Sequence, residues 1–325
     1  MKHIPLQEVA DWLRQCEDTY ILIHRSPDGD CIGGGYALHE ILRQMGKRSK
    51  VLCNDVIPSR YNFLIAPEEE EFAPKSIISV DVADPKLLGK NVLAEYGDRV
   101  DMCIDHHASH VEFAKAGYVD ADAAAACQIL CHLFEYLPIE LNDTLATCLY
   151  TGMATDTGCF QYDNAKAETH EAVAYLMRHC PQVNYAQINR RMFAVKSMGR
   201  LKLDQMLIDR MESYLDGKCI LICITQELLH ASNLDEAELV SIAGFPLQVE
   251  GAEVGITMKE REDGHFRVSM RSADWVDVSA ICQTLGGGGH IKAAGCSVKA
   301  PPDEARRILV EAVRQGMEKQ QCQTQ

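Results

Sequence analysis

The chain has 325 residues, 47% of them hydrophobic and 24% charged, with a net charge of −15 and 14 cysteines. The length suits two domains rather than one core. The acidity argues against long duplex or polymeric nucleic acid, whose phosphates need a basic face, and favours short anionic ligands.

No apolar run approaches a membrane span, so no membrane partner is expected. Cysteines such as Cys103, Cys148, Cys219 and Cys223 lie inside apolar runs without CxxC or disulfide spacing. Together with an N-terminus that lacks the secretory layout, this predicts a soluble protein of a reducing cytoplasm.

Residues 1–183 alternate strand and helix patterns. Residues 6–16 are amphipathic, and the apolar run 20–23 reads as a buried strand ending at His24. A Gly-rich turn carrying Asp28 and Asp30 leads into a helix over about 32–45, followed by a strand around Val51. The acidic run 68–71 is expected to be a solvated surface loop. Residues 76–80 form a second apolar strand ending at Asp81, with Asp84 and a helix over 85–93 behind it. A third strand, 100–104, ends at Asp105-His106-His107. Helical spacing then runs over 121–136 and over 141–153, the latter delivering Thr155-Asp156-Thr157-Gly158. Apolar strands alternating with helices predict a doubly wound, mainly parallel α/β sheet.

Residues 184–210 turn polar and basic, with Arg190, Arg191, Lys196, Arg200 and Lys202, and are expected to form a linker helix with a hinge role. Residues 211–325 read as a smaller α/β domain. It has a strand over 219–225, a hairpin of 253–259 and 265–271 about Glu262-Asp263-Gly264, and a helix over 278–285. A Gly-His loop, a short strand over 296–298 and a final helix over 303–317 follow.

The chemistry lies in four clusters: His24-x-x-x-Asp28-x-Asp30, Asp81-x-x-Asp84, Asp105-His106-His107 and Thr155-Asp156-Thr157-Gly158. Taken singly, each His or Asp reads as readily as a turn or cap residue. Three clusters follow strand ends, where open α/β sheets gather side chains distant in sequence, and four together point to a metal centre. Carboxylates and neutral imidazoles suit hard to intermediate divalent ions, and a carboxylate can bridge two of them where thiolates would select softer metals. The expectation is a two-metal hydrolytic site taking two Mn²⁺, with Mg²⁺ or Co²⁺ as substitutes.

This pattern resembles the DHH phosphoesterase superfamily, named for the triplet that stands here as Asp105-His106-His107. Residues 286–295, Gly-Gly-Gly-Gly-His-Ile-Lys-Ala-Ala-Gly, resemble the GGGH-x-x-A-A-G motif of the associated DHHA1 domain. The resemblance implies one ion on His24 and Asp28, a second on Asp30, His106 and Asp156, and Asp81 bridging both. It implies Asp105 and Asp84 as residues orienting His106 and its neighbours, a helix cap before Pro85 being an equal reading of Asp84. His107 would face the substrate phosphate or leaving group. Arg271, Gly287, Gly288, Gly289 and His290 would hold the rest of the substrate, the glycine amides forming an anion nest; a solvated strand-end Arg is the plainer reading of Arg271.

The bare two-domain form is similar to the nanoRNase and pAp-phosphatase branch. That implies hydrolysis of short oligoribonucleotides to mononucleotides, and of 3′-phosphoadenosine 5′-phosphate (pAp) and linear dinucleotides. A cyclic dinucleotide phosphodiesterase and a RecJ-like single-strand exonuclease are the enzymatic alternatives, and relatives suggest a homodimer. A nucleotide sensor built on Gly29–Gly35 is the non-enzymatic alternative, although that spacing does not match GxGxxG.

Overall fold

Six short strands of the first unit form a sheet in which every pairing is parallel: β1 (Lys2–His3), β2 (Thr19–Leu22), β3 (Ser49–Leu52), β4 (Ser76–Val80), β5 (Met102–Asp105) and β6 (Ala116–Val119). Their spatial order is β1-β6-β5-β4-β2-β3. The computed structural model describes residues 1–67, 70–232 and 236–323. It comprises two compact units, Met1–Val195 and Lys196–Gln325. Residues 68 and 69 of the acidic run expected to be a surface loop lie outside the described residues.

Side chains alternate across the central strands and so feed two cores. Ile21, Ile78, Val80 and Ile104 pack on one side with residues of α1 (Leu6–Gln15), α2 (Gly29–Gln44), α4 (Ala126–His132) and α5 (Asp143–Asp156). Tyr20, Leu22, Ile77 and Cys103 pack on the other with Val92 and Tyr96 of α3 (Lys90–Tyr96). The chain leaves β2 for β3 on one flank and returns to β4 on the other. The carboxyl ends of β2 and β4 are thus neighbours at a topological switch point, where open α/β sheets place their ligands.

The glycines of α2 are consumed by packing. A Cβ at Gly33 would stand 2.5 Å from the Cys148 carbonyl oxygen on α5, at Gly34 2.7 Å from Val80, and at Gly35 2.9 Å from Ile23. They let the helix lie close to α5 on one side and the sheet on the other, which removes the basis for a nucleotide-binding Gly loop here.

Several expected elements differ. The helix over 85–93 is a 3₁₀ turn, Pro85–Leu88, and then α3, because Gly89 breaks the run at φ +79°. The helix over 121–136 starts only at Ala126, where the amides of Ala126 and Cys127 donate to Asp30 instead of to a local cap. β1, β6 and α6 (Ala167–His179) had no sequence expectation. The expected linker helix is divided. α7 (Tyr185–Asn189) buries Tyr185 and Ile188 in the first core and continues as a π-helical turn, Arg190–Ala194. α8 (Met198–Asp209) instead buries Leu203 and Leu207 against Ile222 and Ile224 of the second unit.

The second unit is a sheet of β7 (Glu212–Tyr214), β8 (Cys219–Ile224), β9 (Val254–Glu260), β10 (Phe266–Ser272), β11 (Gly288–His290) and β12 (Ala293–Val298), in the order β11-β12-β10-β9-β8-β7. Only β8 and β9 pair in parallel. Phe266, Val268, Met270, Ala294 and Cys296 bury one face with residues of α10 (Val278–Thr284) and α11 (Pro302–Gln323). α9 (Gln226–Ser232) follows β8. The Gly-His segment expected to be a loop is β11, an edge strand antiparallel to β12.

Candidate metal centre and substrate face

Each expected ligand follows from a local device. Asp28 is the N-cap of α2: its Oδ1 accepts from the amides of Asp30 and Cys31, both at 3.1 Å. Its other oxygen, Oδ2, stands 3.6 Å from His24 Nε2. The cap and ligand readings of Asp28 are therefore compatible, one oxygen each. Asp81, at the end of β4, takes φ +57°, a sparsely populated backbone for a residue with a side chain. Its Oδ2 lies 3.7 Å from His24 Nε2 and its Oδ1 3.4 Å from His106 Nε2. Asp156, the last residue of α5, brings Oδ2 to 3.2 Å from His106 Nε2. Asp30, fully buried, places Oδ2 at 3.9 Å from the same nitrogen.

Two loci result, His24-Asp28-Asp81 and Asp30-Asp81-His106-Asp156, joined through one carboxylate, and His107 also stands within ligand distance of Asp81 and His106. Cys31 also lies beside the first locus and was not anticipated. Burial pushes its thiol pKa well up, so it stands there as a neutral thiol, a poor ligand.

Backbone carbonyls set both imidazoles. His24 Nδ1 lies 2.8 Å from the Arg25 carbonyl oxygen, and His106 Nδ1 3.3 Å from that of Ala123. A carbonyl only accepts, so Nδ1 of each ring carries a proton and Nε2 is the atom turned to the centre, free to ligate once its own proton has left, the arrangement of metal-binding histidines. Asp105 is fully buried and contributes no atom to either locus. Its Oδ1 accepts from the His106 amide at 2.9 Å and from His107 Nδ1 at 2.8 Å, while Oδ2 meets His110 Nδ1 at 2.5 Å. His110 was missed because it lies outside the triplet; its only signal was its spacing of five from Asp105.

Of the two readings of Asp84, the structure shows the cap. Its carboxylate accepts from the Lys86 amide at 2.8 Å and caps the 3₁₀ turn ahead of Pro85, rather than orienting His106.

The electrostatics of these residues favour a cation among them. Burial alone would lower the His24 pKa, but Asp28 and Asp81 outweigh it and raise it strongly. His106 is likewise pushed up to about 12 by Asp156 and Asp81 against burial. Burial, with Asp28 and Asp81 nearby, pushes Asp156 up to about 6. Asp81 is held well below the carboxylate range because His106 and His24 overcome its burial. Yet Asp81 Oδ1 is buried without a hydrogen bond. An ionised oxygen orphaned among imidazole and carboxylate ligand atoms is costly unless a cation completes it, so these residues fit divalent metal.

In the second unit, Arg271 and His290 are both cross-strand neighbours of Ala293, which puts them on one face of the sheet. The expected glycine nest is not formed. The amides of Gly286 and Gly287 donate to the Gln283 and Cys282 carbonyls and close α10, while Gly288 and Gly289 lie in the β11–β12 pairing. A Cβ at Gly287 would meet the Gly295 carbonyl oxygen at 2.1 Å, so this glycine serves close strand approach.

A parallel sheet with a buried two-locus carboxylate–imidazole centre at its switch point, joined to a second α/β unit, defines a metal-dependent phosphoesterase. Residues 18–153 match the N-terminal domain of the DHH family and residues 218–319 match the DHHA1 domain. The chain is 30% identical to the bifunctional oligoribonuclease and PAP phosphatase NrnA of Thermus thermophilus, over 94% of this chain and 93% of that one. It belongs to the DHH phosphoesterase family with a DHHA1 domain.

It is also 24% identical to the cyclic-di-AMP phosphodiesterase PdeA of Listeria monocytogenes, over 94% of this chain but 49% of the relative. The crystal structure of an exopolyphosphatase-related protein from Bacteroides fragilis shares the fold, with a TM-score of 0.83 at 20% identity and 95% coverage of both chains.

Proposed function

We propose that this protein hydrolyses short oligoribonucleotides to mononucleotides with two Mn²⁺ ions, and removes the 3′-phosphate of pAp at the same centre. What carries this is the geometry of Asp81, one buried carboxylate with an oxygen toward each locus, in a chain similar along nearly its whole length to an oligoribonuclease and PAP phosphatase. His24 and Asp28 would hold one ion, Asp30, His106 and Asp156 the other, and Asp81 both. Ions bound there would supply Lewis acidity toward phosphoryl oxygens and an activated water.

The chain's own groups do the rest. Asp105 fixes His107 through Nδ1 and, with its charge, raises the His107 pKa, so that Nε2 can donate a proton to the leaving oxygen. Arg271 and His290 would take a phosphate of the substrate on the second unit. Among the described residues, thirteen cysteines are free thiols and no helix is long and apolar enough to cross a membrane; a cytoplasmic enzyme fits both. A second reading, hydrolysis of cyclic or linear dinucleotides, is favoured by the similarity to PdeA over 94% of this chain.

The test is hydrolysis with Mn²⁺ of a labelled RNA dinucleotide, a longer RNA, long single-stranded DNA and pAp in parallel. Rapid release of mononucleotide from the dinucleotide, lost in Asp81→Ala, is the expected result. Activity confined to long DNA would refute it.

A further inference from the structure

The hairpin of the second unit presents more than Arg271. Along β10, Phe266, Val268 and Met270 are buried while Arg267, Ser269 and Arg271 alternate to the opposite face. The register sets Arg267 between Lys259 on β9 and Ser297 on β12, and Ser269 beside Gly295, which in turn faces Gly288. The floor between the two arginines is therefore paved with Ser269, Gly295 and Gly288, leaving room above it.

A cavity of about 750 Å³ opens on this face and reaches Arg261 and His265 near the hairpin tip. Its one carboxylate, Asp263, sits 3.2 Å from His265. Neither Arg261 nor Arg267 has an acidic partner among the described residues, and Arg267 pairs across the strands with Lys259 on the same face. In a chain of net charge −15, three arginines gathered in one cavity mark a place for anions.

We propose that this face is an extended phosphate track, in which Arg267 and Arg261 hold the strand of an oligonucleotide beyond the phosphate taken by Arg271. The proposal rests on the phosphoesterase reading and extends it to the length of strand recognised. Arg267 and Arg271 are four residues apart on an extended strand, about 13 Å. With the Cα atoms that far apart and Ser269 between them on the same face, the two guanidiniums are assigned to different phosphates of one strand, and a dinucleotide does not engage the far end.

The experiment is binding to the full chain in EDTA, which prevents turnover, of fluorescein-labelled oligoribonucleotides two and five residues long across a salt series. Arg267→Ala should weaken the pentanucleotide about tenfold and reduce the slope of log affinity on log salt by about 0.7, the share of one phosphate contact on a single strand. The dinucleotide should lose much less, Arg267→Lys should fall between, and Arg261→Ala should act in the same direction as Arg267→Ala. Melting curves matching the wild type exclude misfolding of this exposed position, and Arg267→Lys keeps the charge while removing the guanidinium fork. Equal losses for both lengths, or a wild-type chain that binds neither oligonucleotide in EDTA, overturn the track and leave the enzymatic reading to the Mn²⁺ hydrolysis assay.

Discussion

Gly152 on α5 tests whether packing beneath the metal centre sets its geometry. A Cβ there would stand 2.2 Å from Cys127 Sγ and 2.6 Å from Asp30 Oδ1, and both neighbours are fully buried. Cys127 has little room to yield, since a Cβ at Gly33 would already lie 3.3 Å from the same sulfur. Asp30 is anchored by the amides of Ala126 at 2.6 Å and Cys127 at 3.0 Å. Contacts this close belong to the upper part of the overpacking range, about 2–3 kcal/mol, and Gly→Ala in a helix returns about 1 kcal/mol, so Gly152→Ala should destabilise the first unit by about 1–2 kcal/mol. For a unit of this size that is a melting shift of roughly 2–8 °C.

The sharper consequence concerns metal, because displacing Asp30 should cut affinity at its locus by about 10–100-fold. Adding Cys127→Ala removes the sulfur but leaves the Cys127 Cβ, at 2.8 Å, and the contact with Asp30. The double variant should therefore recover part of the stability while its metal affinity stays low. Thermal melting with calorimetric Mn²⁺ titration measures both. A Gly152→Ala protein that melts at or above the wild type and binds metal unchanged would refute the coupling.

Metal uptake should release protons. Asp156 sits at about 6 and His106 at about 12 without metal, and both must be deprotonated to ligate, so affinity rises with pH through about 6 and a proton still leaves His106 at neutral pH. Calorimetry at pH 7 in two buffers of different ionisation enthalpy reads this directly, and buffer-independent heats would contradict it. His110→Ala strips the donor from a buried Asp105 oxygen, which should cost about 1–3 kcal/mol of stability and lower kcat more than it changes KM; unchanged melting and turnover would remove His110 from any positioning role. Gly287→Ala should lower the melting temperature of the second unit because its methyl meets a backbone oxygen, whereas Gly288→Ala enters open space and should melt like the wild type. Equal behaviour of the two would show that the β11–β12 approach is not tight.

The ligand-bearing strands were legible because their signal is local: a short apolar run that stops at Asp or His, three times over, at the ends of β2, β4 and β5. The hairpin and α10 were legible for the same reason, since turn residues and period sit within a few positions of one another. Tertiary structure decided what each carboxylate does. Asp28 divides its two oxygens between a helix cap and His24, Asp84 spends its own on a cap, and Asp81 faces both loci from a strained backbone. Asp30 is held by the amide of Cys127, 97 positions away, and His106 by a carbonyl 17 positions on. The glycines followed the same rule: those of α2 and Gly287 looked like phosphate contacts but are required by close approach of helix and strand. Residue type and spacing determined that a metal centre forms. Which oxygen meets which proton depends on packing between segments remote in the chain, and no local pattern encodes that.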